Sequence, residues 1–276
     1  MIVAAAQFPS TVLDIEANAA RTAGLIAEAA GRGAELVVFA ELGLTGYELE
    51  AIAAGPERCV LAPDDPRPAP VRDACRAAGV AAAVSGPGRG PSGTADGMAI
   101  ATFVYGPDGA LLTRYDKHHL YGRETELFTP GPTAGGRFTY RDLKFALATC
   151  YDNAFPEVAE RAAADGCQVY LASSFHDSVE RTDEYATLAR DHGFDVLLAN
   201  GIGPRSGGVG CGYSGIWAAD GSCLARVTGE SGLGFAEVGV SAGPLSAARV
   251  PSGPGPEGSE PEGSEPAGIS GGRAAG

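Results

Sequence analysis

Histidines and paired cysteines are scarce in this chain of 276 residues. It holds four histidines, His118, His119, His176 and His192, and none stands in an H-E-x-x-H or comparable ligand spacing. Of its six cysteines, Cys59, Cys75, Cys150, Cys167, Cys211 and Cys223, no two form a C-x-x-C pair. Zinc sites rest on such clusters, so chemistry without a metal is expected. Irregular cysteine spacing in a long chain points to free thiols rather than a disulfide framework. No stretch reaches the roughly 18 uncharged apolar residues that a membrane helix needs. The opening residues, Met1-Ile2-Val3-Ala4-Ala5-Ala6-Gln7-Phe8, lack a basic segment and read as a strand, not a signal peptide. The expected location is therefore cytoplasmic, with no membrane partner. Positive charge is also short: 20 Lys and Arg face 34 Asp and Glu, for a net charge of −14. Such a surface repels phosphate backbones, which argues against a nucleic-acid partner.

What the chain does have is apolar residues, 45% of the total, enough for a sizeable core. The pattern predicts strands at Ile2–Phe8, Glu35–Phe39, Val80–Val84, Leu143–Thr149, Val169–Ala172 and Val196–Ala199. Hairpins are predicted for Met98–Tyr105 with Leu111–Tyr115, and for Tyr213–Trp217 with Ser222–Val227. Helical spacing marks Asp14–Gly31, Pro70–Ala78, Pro156–Ala164 and Glu180–His192. Helices alternating with buried strands, with hairpins interspersed, imply an α/β protein with mixed sheets. Gly86–Gly97, rich in Gly and Pro, reads as a surface loop. One domain spans residues 1–250. From 251 the composition changes, with the repeat Pro-Glu-Gly-Ser-Glu between Pro256 and Pro266 and Ile269 as the sole large apolar residue. Residues 251–276 are expected to be a disordered acidic tail, because such a segment buries too little to offset its chain entropy.

Three residues close apolar strands where catalytic groups are commonly carried. The run Leu143 to Thr149 delivers Cys150 at its carboxyl end, and open α/β sheets place their sites at such ends. Alone, this cysteine reads more often as a packed thiol. Leu36 to Phe39 leads to Glu41, where partial desolvation would raise the carboxyl into the range of a general base. Alone, it reads more often as a capping or surface glutamate. Lys117 follows Leu111–Tyr115; as a fixed ammonium it would stabilise an oxyanion and lower the thiol pKa, and as a surface charge it would do nothing. Glu124, seven residues on, either orients Lys117 or forms a surface ion pair.

Three blocks in order change that balance: Val38-Phe39-Ala40-Glu41-Leu42-Gly43-Leu44-Thr45-Gly46-Tyr47, Tyr115-Asp116-Lys117-His118-His119-Leu120-Tyr121-Gly122-Arg123-Glu124, and Thr149-Cys150-Tyr151-Asp152-Asn153-Ala154-Phe155-Pro156-Glu157. Over residues 1–240 the chain resembles the nitrilase superfamily of carbon–nitrogen hydrolases. That resemblance implies a four-layer α-β-β-α sandwich with two mixed sheets, and a homodimer or higher homo-oligomer. It implies a Glu-Lys-Cys triad of Glu41, Lys117 and Cys150, supported by Glu124 and by the backbone N–H of Tyr151 as an oxyanion donor. No cofactor or metal is implied. Cys150-Tyr151-Asp152 is similar to the amidase branch, whereas true nitrilases usually carry Cys-Trp-Glu. The expected reaction is cleavage of a small non-peptide amide to carboxylate and ammonia through a thioester. A nitrilase or an N-carbamoyl-amino-acid hydrolase is the alternative, and a non-catalytic binding or scaffold protein a more distant one. Tyr47, Phe155, Phe175 and His176 are expected on the substrate pocket wall. His118 and His119 flank Lys117 without a catalytic assignment.

Overall fold

Period-two alternation along the strands sorts the core into layers. A computed structural model describes residues 1–62, 64–90 and 97–239. Its strands are β1 (Ile2–Gln7), β2 (Leu36–Val38), β3 (Ala81–Arg89), β4 (Met98–Tyr105), β5 (Leu111–Asp116), β6 (Gly136–Tyr140), β7 (Leu143–Thr149), β8 (Val169–Ser174), β9 (Asp195–Asn200), β10 (Ile202–Arg205), β11 (Gly208–Cys211), β12 (Gly215–Trp217), β13 (Cys223–Arg226) and β14 (Gly232–Glu237). Its helices are α1 (Ile15–Gly31), α2 (Leu49–Ala54), α3 (Pro56–Cys59), α4 (Ala69–Ala78), α5 (Glu124–Leu127), α6 (Pro156–Ala164) and α7 (Val179–His192). One six-stranded sheet runs β14-β1-β2-β3-β4-β5 and the other β13-β12-β9-β8-β7-β6, with β10 and β11 a separate hairpin. In each sheet three central strands are parallel, β1-β2-β3 and β7-β8-β9, and the flanking pairs are antiparallel.

The two faces of β1 show how the layers form. Ala4 and Ala6 pack with Ile15, Ala19 and Ile26 of α1 and Val71 and Cys75 of α4. Val3 and Ala5 face the other way, joining Leu36 and Val38 to Phe145, Leu147, Leu171 and Leu197 of the second sheet. On that sheet's far side, Ala146, Tyr170 and Leu198 pack with Val158 and Ala162 of α6 and Ala189 of α7. Helix, sheet, sheet, helix is the expected four-layer order. Burial of both sheet faces explains why the central strands read as continuous apolar runs. Asp14 starts α1 as its N-cap, its side chain accepting the Ala17 N–H at 2.9 Å. Among the described residues no helix is long and apolar enough to cross a membrane.

The structure corrects the loop expected at Gly86–Gly97. Gly86 to Arg89 continue β3 in register with β4, Gly86 opposite Ala101 and Arg89 opposite Met98. A Cβ on Gly88 would meet the Ala101 Cβ at 2.8 Å, so glycine here permits close strand packing instead of a turn. Residues 91–96 of that segment, and the tail from 251, lie outside the described residues. β6, β10, β11 and β14, and the short helices α2, α3 and α5, were not expected.

Candidate active site

Glu41, Lys117 and Cys150 arrive from three strand ends and meet between the sheets. After β2 the chain turns tightly: the Gly46 N–H bonds to the Leu42 carbonyl at 2.7 Å and Leu42 takes a φ of 50°. Ser173 Oγ donates to the Phe39 carbonyl at 2.8 Å, tying this segment to the opposite sheet two residues before Glu41. Lys117 follows β5, and its peptide is fixed on both sides. Its N–H bonds to the Ile100 carbonyl at 2.9 Å, and its carbonyl accepts from the Gly131 N–H at 2.8 Å. Cys150 opens a short 3-10 helix, Cys150–Ala154, at the end of β7 with a φ of 48°. A non-glycine residue in that region costs about 1–3 kcal/mol, and such strain concentrates at functional sites.

The charges at this junction are fully enclosed: Glu41, Lys117 and Glu124 are each 0% exposed. Buried charges persist only when paired. Lys117 Nζ donates to Glu41 Oε1 at 2.8 Å and lies 2.8 and 2.7 Å from the two oxygens of Glu124. Glu124 in turn accepts from the Tyr47 hydroxyl and, at 2.8 Å, from the Tyr121 N–H. Burial alone would lower the Lys117 pKa, but the carboxyls of Glu41 and Glu124 outweigh it and hold the ammonium charged. Glu41 is pushed up to about 7, foremost by burial; Lys117 opposes this and Glu124 adds to it. Among the described residues Glu41 Oε2 has no hydrogen-bond partner, and the nearby Cys150 thiol, like Lys117, favours the ionised carboxylate.

The half-buried Cys150 departs from one expectation. Burial, then the Glu41 carboxylate, raise its thiol well above the ordinary range, although Lys117 and the Phe175 N–H pull it down. Lys117 acts in the expected direction but does not prevail. At neutral pH the resting sulfur is a thiol, so it would need a base to act as a nucleophile.

Asp152 was not singled out from the sequence as a site residue, yet it joins two of the three segments. It is buried and accepts from the Tyr115 hydroxyl at 2.7 Å, the Thr149 N–H at 2.9 Å, and the His119 N–H and ring at 2.9 and 3.0 Å. The Lys117 segment is thereby fastened to the turn that carries Cys150. Thr149 and Asp152 also form a reciprocal capping box, whose Thr-x-x-acid spacing was available in the sequence. Asp152→Ala orphans at least three donors, each costing about 1–3 kcal/mol, so urea unfolding should show a loss of about 3 kcal/mol or more. An unchanged midpoint would mean that these donors find other partners.

A cavity of about 470 Å³ opens onto Cys150. Tyr47, Phe175 and His176 are on its wall, as are Tyr151, Tyr121, Tyr185 and Arg205. Phe155, expected on the same wall, instead stacks on the His119 ring at 3.6 Å between centroids, with its other neighbour Tyr151 at 5.2 Å. Phe175 is seated by glycine: a Cβ on Gly201 would fall 2.2 Å from its ring. Burial, then the Arg181 guanidinium, bring His176 down to about 4, leaving a neutral ring on the wall.

The carbon-nitrogen hydrolase family profile matches residues 2–246. A nitrilase of Pyrococcus abyssi is 32% identical over 171 residues, covering 60% of this chain and 62% of that protein, less than two thirds of its length. Omega-amidase NIT2 of Bos taurus is 25% identical over 237 residues, covering 80% of this chain and 82% of its own. Among solved structures, a mutant of the amidase from Nesterenkonia sp. AN1 in complex with butyramide superposes with a TM-score of 0.76 at 28% identity, covering 85% of this chain and 89% of that one. Another mutant of that amidase shows Michael addition of acrylamide at the active site cysteine. With the profile spanning nearly all of its described residues, the chain belongs to the carbon–nitrogen hydrolase family, enzymes that act on carbon–nitrogen bonds other than peptide bonds.

Proposed function

We propose that this enzyme hydrolyses a small non-peptide amide to a carboxylate and ammonia through a thioester on Cys150. The observation that carries the proposal is the buried Lys117, clamped by Glu41 and Glu124, with Cys150 beside this cluster and lining the cavity. Glu41 takes the thiol proton as the sulfur bonds to the amide carbon. The Lys117 ammonium and the Tyr151 N–H stabilise the oxygen as it becomes negative. Collapse breaks the carbon–nitrogen bond, and the proton on Glu41 leaves with the nitrogen as ammonia. Water then gives a proton to Glu41 while its oxygen attacks the thioester, and the proton returns to the departing sulfur. Two half-reactions thus use one base, and the net change is amide plus water to acid plus ammonia.

An amide is favoured over a nitrile by Cys150-Tyr151-Asp152 and by likeness to an amidase solved with butyramide. The nitrilase relative keeps the nitrile reading, and with it the N-carbamoyl one, as the alternative. The test is ammonia release from a panel of short aliphatic and ω-amides, nitriles and N-carbamoyl amino acids, with Cys150→Ala alongside. Ammonia from amides, abolished in the variant, supports the proposal. Equal release by both proteins, or release from nitriles alone, sinks it.

Glu41 also sets a pH dependence. It serves as a base only when ionised, and its carboxyl is pushed up to about 7. kcat/KM reports the free enzyme, so it should fall about tenfold per pH unit below that value and level off above it. An acid limb near the ordinary carboxyl value of 4.5 would show that burial does not raise the Glu41 carboxyl in the free enzyme.

A further inference from the structure

The carbonyl of Cys150 is held in place. Asn153 Nδ2 donates to it at 2.9 Å and to the Tyr185 hydroxyl at 3.1 Å, while Asn153 Oδ1 accepts from the Tyr170 hydroxyl at 2.9 Å. A carbonyl oxygen can only accept, so the amide's NH₂ end must face Cys150 and the orientation of Asn153 is forced. The two tyrosines come from β8 and α7 and are buried. Tyr185 is itself fixed, its hydroxyl 3.0 Å from both Ser174 Oγ and His176 Nε2. Asn153 is therefore braced from two separate elements.

The pinned carbonyl shares a planar peptide unit with the N–H of Tyr151. No cis peptide bond occurs among the described residues, so the carbonyl and this N–H point in opposite directions. Holding one aims the other. Cys150 sits at a φ of 48°, a conformation that persists only when its surroundings over-determine it, and Asn153 is part of that determination.

We infer that Asn153, braced by Tyr170 and Tyr185, is a positioning residue that aims the Tyr151 N–H at the oxygen of a tetrahedral adduct on Cys150. The inference rests on the nucleophile and oxyanion roles proposed above, but it concerns any carbonyl adduct, whichever substrate the enzyme uses.

The experiment separates oxyanion binding from thiol reactivity. Butyraldehyde adds to the Cys150 thiol: the sulfur bonds to the carbonyl carbon, the thiol proton passes to Glu41, and the carbonyl oxygen takes the electron pair of its broken π bond and becomes the group that needs the donor. Methyl methanethiosulfonate converts the same thiol to a methyl disulfide, with methanesulfinate leaving, and forms no oxyanion. Aldehyde affinity is read as protection of the Cys150 peptide from this reagent, by mass. Asn153→Ala should weaken the aldehyde about tenfold or more while leaving the unprotected modification rate within about twofold. Asn153→Asp, measured above pH 7, keeps the shape, removes the donor and should lose affinity likewise. Unchanged affinity in both variants overturns the inference. So does a parallel fall in affinity, thiol reactivity and unfolding midpoint, or a wild type that the aldehyde does not protect. If no amide releases ammonia yet the aldehyde result holds, the amide reading fails alone. If amides are hydrolysed and the aldehyde ignores Asn153, the positioning role fails alone.

Discussion

Lys117→Ala should lower kcat by about 10³-fold and destabilise the protein at the same time. The loss of rate follows from its place. Losing one oxyanion donor commonly costs about 10²–10³, and Lys117 also carries the positive charge that keeps Glu41 partly ionised at neutral pH. The loss of stability follows from what remains. Glu41 and Glu124 are both fully enclosed, and without the ammonium two carboxyls face each other with no cation between them. Breaking a buried ion pair from one side typically costs about 3–5 kcal/mol. One of the carboxyls will take up a proton to relieve this, so the deficit should shrink as pH falls. Denaturant unfolding at pH 8 and at pH 5.5, beside steady-state kinetics, checks both parts. A variant as stable as wild type at pH 8 would contradict the ion cluster.

Glu41→Gln should lose about 10²–10⁴ in kcat without that instability. Glutamine keeps the shape and the contact to Lys117 but cannot take a thiol proton. The thiol is raised foremost by burial, which the variant keeps, so no standing thiolate replaces the base. The sign for stability is opposite to that of Lys117→Ala. A carboxyl raised from 4.5 to about 7 holds its proton in the folded state after the unfolded chain has lost it, so its contribution weakens as pH rises through that window. Glutamine has no proton to lose, and Glu41→Gln should gain stability relative to wild type between pH 4.5 and 7 and keep that gain above. Unfolding midpoints across pH 4.5 to 8 test this; a variant that weakens with rising pH as wild type does would assign the titration to another group.

These contrasts were partly legible in the sequence. Apolar strand runs ending at Glu41 and Cys150 were visible because both faces of β2 and β7 are buried, which fills consecutive positions with apolar residues. β14 was not visible: Gly232-Leu233-Gly234-Phe235-Ala236-Glu237 has little apolar density, and its partner β1 lies at the other end of the described chain. The enclosure of Glu124 was also hidden. It begins the four-residue helix α5, in a segment that reads as a charged surface turn. Asn153 could not be found at all, since its partners Tyr170 and Tyr185 are 17 and 32 residues away. Phe155 was misplaced because adjacency to Cys150 says nothing about which way a ring turns, and His119 offered it a stacking partner. Composition misled at Gly86 to Arg89, where glycine and proline usually signal a turn but here allow β3 to press against β4.

The claim at the centre is that Cys150 itself becomes acylated. The direct measurement is rapid quenching of the enzyme with an amide it hydrolyses, followed by peptide mapping by mass. The account predicts that the peptide bearing Cys150 gains the acyl group with loss of one hydrogen, that the adduct decays as carboxylate appears, and that Cys150→Ala shows neither adduct nor turnover. Hydrolysis by Cys150→Ala at the wild-type rate, or an acyl group carried by another residue, would contradict it.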